Sequence, residues 1–88
     1  MSMADRIREK LASLAPHALS VTDDSGKHAG HVGAKPGGET HFSVAVVSDR
    51  FAGMSRVERY RLVHALLDGE LRDGVHALSL ALKTPQEL

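Results

Sequence analysis

His41-Phe42-Ser43-Val44-Ala45-Val46-Val47 is the stretch whose reading decides the fold. Phe42, Val44 and Val46 alternate with His41, Ser43 and Ala45, the period-2 pattern of a strand with one buried and one open face. Upstream, Leu19 and Val21 alternate with Ser20 and Thr22 in a shorter strand of the same kind. The turn residues Asp23-Asp24-Ser25-Gly26 end it. The two strands are expected to pair antiparallel as a hairpin with an unusually long loop. Gly26, Gly30, Gly33, Pro36, Gly37 and Gly38 rule out helix in that loop. Residues 25–38 are expected to be poorly ordered in the free protein, because the glycines leave little to pack.

Downstream, residues 48–53 form a turn that pins Phe51 against the core. Ser55-Arg56-Val57-Glu58 then has the form of a capping box. The helix it opens carries Val57, Tyr60, Val63, Leu67 and Leu71 at core spacing, with Leu66 widening the stripe. Gly69 costs that helix about 1 kcal/mol against Ala, and Gly74 suits its end. Residues 75–82 form a third strand, with Leu78, Leu80 and Leu82 on one face and Ala77, Ser79 and Ala81 on the other. A helical crossover of more than twenty residues joins strands two and three, and such a connection favours parallel, right-handed pairing.

At the start of the chain, Ser2 caps a helix whose Ile7, Leu11 and Leu14 make one apolar stripe. Arg6, Arg8, Glu9 and Lys10 form its solvated face, and Pro16 ends it. Residues 84–88 suit a last helical turn. The expected architecture is α/β (α+β) in the order α-β-β-α-β with a terminal α, one domain over residues 1–88.

Composition excludes several classes of function. The 88 residues carry a formal net charge of zero, which does not mark a general polyanion binder. With no cysteine, the chain makes no disulfide and supplies no thiolate to a metal. No apolar run reaches the roughly 18–20 residues of a membrane span, and the first residues lack a signal peptide's apolar stretch. A cytoplasmic protein with no membrane association is expected. No Ser-His-Asp spacing and no glycine fingerprint for phosphate occurs.

The six histidines hold the most chemistry, since imidazole is a common metal ligand and titrates near neutral pH. Parallel pairing of strands two and three brings His76 to the end of the sheet where the loop with His28 and His31 returns at His41. Each also has a plain reading. His76 shares parity with the core leucines and suits a satisfied, buried-edge histidine. His41 alternates onto the open face as a cross-strand polar partner, and His28 and His31 suit solvated loop residues. His17 and His64 look structural or exposed. Asp23, Asp24 and Glu39 are near enough to orient a ring.

Asp24-Ser25-x-x-His28, Glu39-x-His41-Phe42-x-Val44, Val47-Ser48-x-x-Phe51-x-Gly53, Arg59-x-Arg61 and Val75-His76-Ala77-Leu78 resemble the BolA-like family, in the right order over nearly the whole chain. The resemblance implies a class II KH-like domain, a three-stranded mixed sheet covered by helices on one face. It implies a non-enzymatic factor of iron-sulfur cluster assembly or iron regulation that pairs with a monothiol glutaredoxin around a bridging [2Fe-2S] cluster. The glutaredoxin and glutathione supply thiolates. Carried over, His76 is one ligand from this chain and His28 the second. The extra segment Gly30-His31-Val32-Gly33 makes His31 the alternative. Histidine in place of cysteine raises a cluster's potential, as in Rieske centres. No cofactor is expected in the isolated chain, which is expected to be a monomer or weak homodimer.

The same resemblance allows a second reading, a KH-like nucleic-acid-binding transcriptional regulator with DNA as partner. Arg56, Arg59 and Arg61 of the second helix are the residues for it, and a solvated helix face explains them as well. Phe51-Ala52-Gly53-Met54 is not the Gly-x-x-Gly clamp of KH recognition. The family commonly has histidine where this chain has Tyr60.

Overall fold

The computed structural model describes residues 1–24 and 40–88. The expected order of the loop, and the positions of His28, His31 and Glu39, lie outside the described residues. Helix α1 spans Met3–Leu11, followed by a 3-10 turn at Ala12–Leu14. Ser2 caps α1 in a full capping box whose reciprocal carboxylate is Asp5. Ala15 leaves the right-handed region for φ 46 and ψ 56, as the residue before Pro16 must leave it.

Strands β1 (Ala18–Asp23), β2 (His41–Val47) and β3 (Ala77–Lys83) form one sheet in the order β1-β2-β3. β1 pairs antiparallel with β2, Leu19 opposite Val46 and Val21 opposite Val44. β2 pairs parallel with β3, His41 opposite Ala77 and Val46 opposite Leu82. The crossover between them carries a 3-10 turn at Asp49–Phe51 and helices α2 (Arg56–Leu66) and α3 (Asp68–Arg72). Ser55 and Glu58 form the capping box expected at the start of α2. Pro85–Glu87 make the last turn.

One core sits between the sheet and the helices. It joins Ile7, Leu11 and Leu14 to Phe42, Val44 and Val46, and to Phe51, Val63, Leu67, Val75 and Leu82. Burying a side chain of this size contributes roughly 1.5–3 kcal/mol. The other face of the sheet carries small side chains in rows, such as Thr22, Ser43 and Ser79, which register with one another across the strands.

Three details differ from the sequence reading. Val57 is 54% exposed. It lies about 120° around the helix from Val63, at ~100° per residue, so the true core face runs through Tyr60, Val63, Leu67 and Glu70. The second helix is broken at Leu67, with φ −100 and ψ 15, just before the weak helix formers Asp68 and Gly69. β3 begins at Ala77 rather than Val75, which leaves His76 just outside the ladder. Among the described residues no helix is long and apolar enough to cross a membrane.

Candidate metal centre

Parallel pairing places the start of β3 beside the start of β2, where residues 25–39 rejoin the sheet. Thr40, 3% exposed, is the anchor of this corner. Its carbonyl accepts from two successive N–H groups, His76 at 2.7 Å and Ala77 at 3.2 Å. Two donors on one acceptor break the strand alternation between residues 76 and 77, as a bulge does. The leucine parity therefore stops short of His76. The side chain is exposed rather than buried at the edge of the core.

Its backbone is nevertheless firmly held. Val75 before it is 5% exposed and donates to the Glu70 carbonyl at 3.2 Å. Gly74 before that takes φ 132, a conformation that side chains disfavour. The His76 ring lies parallel to that of His41, with centroids 6.3 Å apart and planes inclined by 10°. His41 is half-buried, and its Nδ1 meets the Thr40 hydroxyl at 2.9 Å. So His41 acts as a cross-strand partner, and its partner is His76. Neither ring nitrogen of His76 has a hydrogen-bond partner among the described residues. Among the described residues, the ring that faces it is that of His41.

On the other side of His41, Asp24 N–H donates to the His41 carbonyl at 2.7 Å, and its carboxylate accepts from the Ser43 hydroxyl. Among the described residues no group of three or more His, Asp or Glu side chains is gathered to hold a metal. Among the described residues, this corner offers one exposed imidazole donor beside the start of β2.

The other two described histidines, His17 and His64, lie elsewhere. His17 Nε2 meets Asp49 Oδ2 at 2.9 Å on the surface, and His64 is exposed on α2. The three arginines of α2 do not form one free patch. Arg56 and Arg61 are exposed, but the Arg59 side chain is only 12% exposed. It donates to the Met54 and Leu82 carbonyls and grips both oxygens of Glu87 at 2.6 and 3.0 Å. Arg59, followed by the Thr84 N–H, holds the Glu87 carboxyl down to about 2. Sequence reading missed this pair because the partners are 28 positions apart.

It also missed Glu70, whose side chain is 2% exposed and is met by Arg6 at 3.0 Å and Lys10 at 3.2 Å. Its position three after Leu67, on the core face, was the available signal. Burial pushes the Glu70 carboxyl up, but the Lys10 and Arg6 hydrogen bonds and a backbone one outweigh this and hold it below the usual range.

The model of the family described as "BolA-like protein" matches residues 11–87. The chain belongs to the BolA-like protein family. BolA-like protein 1 from Homo sapiens is 50% identical over 82 residues, covering 92% of this chain and 57% of that one. SufE-like protein 1, chloroplastic/mitochondrial, from Arabidopsis thaliana is 50% identical over 88 residues, covering 94% of this chain and 24% of that one. This BolA-like chain thus spans a quarter to just over half the length of these relatives. Among solved structures, the BolA domain of SufE1 from Arabidopsis thaliana superposes with a TM-score of 0.88 at 50% identity, covering 100% of this chain and 98% of that one. The three-stranded mixed sheet with its helices is that of BolA domains.

Proposed function

We propose that this BolA-like protein is a non-enzymatic factor of iron-sulfur cluster assembly or iron regulation. It acts by forming a heterodimer with a monothiol glutaredoxin around a [2Fe-2S] cluster. His76 is its first ligand and a loop histidine, His28 or alternatively His31, its second. The observation that carries the reading is His76 itself, an exposed imidazole on a firmly held backbone with both ring nitrogens unbonded among the described residues.

The donor set fits the group. With no cysteine, this chain offers iron no thiolate, so the thiolate ligands come from the glutaredoxin and glutathione. When bound, the cluster supplies one-electron redox chemistry and transferable iron and sulfide. The protein's own part is to present the neutral His76 ring and keep it oriented. His41 does this by stacking, while the Thr40 carbonyl holds the backbone. The isolated chain carries no cofactor on this reading and is a monomer or weak homodimer.

The nucleic-acid reading has less behind it. The net charge is zero, and Arg59 is committed to Glu87. A steep fall of DNA affinity with salt would favour it. The cytoplasmic placement stays part of the proposal. One relative carries a chloroplastic/mitochondrial name, so cell fractionation is the check.

The test is anaerobic reconstitution of this protein mixed with a monothiol glutaredoxin and glutathione, followed by visible absorption and circular dichroism. The mixture should give a spectrum distinct from that of the glutaredoxin alone, and one that changes in His76→Ala. A mixture identical to the sum of its parts would reject the heterodimer.

A further inference from the structure

A groove of about 460 Å³ runs between the start of α2 and the outer edge of β3. Met54, Tyr60, Leu80 and Leu82 form its apolar part, with Arg56 and Lys83 exposed beside them. The volume lies in the roughly 300–1,000 Å³ range of clefts that hold ligands.

Its polar chemistry is one-sided. β3 is an edge strand. Ala77 N–H donates to Thr40 and the Lys83 carbonyl accepts from Ser48, so these residues turn their backbone groups toward the sheet. Leu80 and Leu82, at alternate positions, turn theirs outward. Both outward carbonyls already accept one hydrogen bond. The Tyr60 hydroxyl donates to Leu80 at 3.4 Å and Arg59 Nη1 donates to Leu82 at 3.1 Å. The outward N–H groups of Leu80 and Leu82 have no acceptor among the described residues, and Arg56 and Lys83 have no carboxylate there either.

Unfilled donors, acceptors already engaged and two unpaired cations suit a ligand rich in acceptors. The groove already binds one carboxylate of that kind, Glu87, which sits bidentate on Arg59. We propose that this groove docks an acidic peptide segment of a partner protein. Its carboxylates meet Arg56, Lys83 and the outward amides, and its methylenes lie over Met54 and Tyr60. A peptide fits better than a nucleic acid, which tracks a longer row of cations than the two unpaired here. Leu82 is six residues along the strand from His76, roughly 20 Å, so the groove is separate from the histidine corner and independent of the cluster reading.

The test is a backbone NMR titration of the protein with a hexaglutamate peptide, with hexaglutamine as control. Hexaglutamate should shift the amide signals of Leu80, Leu82 and Lys83 saturably, and hexaglutamine should not. The double variant Arg56→Glu, Lys83→Glu should keep its far-UV circular dichroism and weaken binding by about tenfold or more. His76→Ala should bind hexaglutamate like the parent. The proposal is overturned by absent or scattered shifts, by equal binding in the double variant, or by a thymidine oligonucleotide that binds the groove more tightly than the peptide.

Discussion

His76 stacks on His41 across the β2–β3 boundary, the rings 6.3 Å apart and nearly parallel. The contact exists because both His76 and Ala77 donate to the Thr40 carbonyl, which turns His76 out of the leucine row and toward its neighbour's ring. Removing His41 therefore takes away what orients His76 without touching the core. His41→Ala is expected to cost about 1 kcal/mol or less. It should shift the ring-proton signals of His76 and broaden its rotamer distribution. Unchanged His76 ring signals would show that the backbone alone sets the ring.

Two of the depressed carboxyls, Glu70 and Glu87, are held by long-range partners and contribute an acid limb of stability. Glu70 and Glu87 both have lower pKa in the folded chain than in the unfolded one. The folded state thus binds fewer protons there. Their stabilisation is present above the ordinary carboxylate range, about 4.3, and is lost as pH falls below it, for Glu87 toward about 2. Glu87→Gln should lower stability at neutral pH and flatten the acid limb, read from urea midpoints across pH.

Glu70→Ala removes an almost fully buried acceptor while Arg6 and Lys10, both partly exposed, regain water. A loss of about 2 kcal/mol is expected, below that of a fully buried pair. Glu70→Gln should recover only part of it. Urea denaturation of the two variants side by side is the check.

The outward placement of Val57 can be tested by a contrast with a core residue of the preceding turn. Phe51, fully buried at 0% exposure, should cost about 3–5 kcal/mol on replacement by Ala. Val57→Ala, at a site 54% exposed, should stay within about 0.5 kcal/mol of the parent. A large loss at Val57 would return that residue to the core.

These contrasts mark where the sequence was legible. Phe42, Val44 and Val46 read correctly because period-2 alternation reports directly on burial. Parallel pairing of β3 followed from crossover length, which is a matter of topology. Val57 misread because an apolar side chain at helical spacing does not fix which side of a wide stripe meets the sheet. His76 was rightly placed beside the start of β2, but its shared parity with the leucines does not hold. A two-donor bulge leaves no mark in residue types. Arg59 with Glu87, and Glu70 with Arg6, are long-range ion pairs that no local spacing encodes.

The proposed role of His76 is to bind iron in the mixed cluster. The most direct measurement is pulsed EPR of the reduced complex with a monothiol glutaredoxin, read for hyperfine coupling to imidazole nitrogen. The parent complex should show such coupling, a folded His76→Ala variant should show it clearly reduced, and His41→Ala should retain it. A folded His76→Ala complex with the parent's nitrogen coupling unchanged would contradict that role.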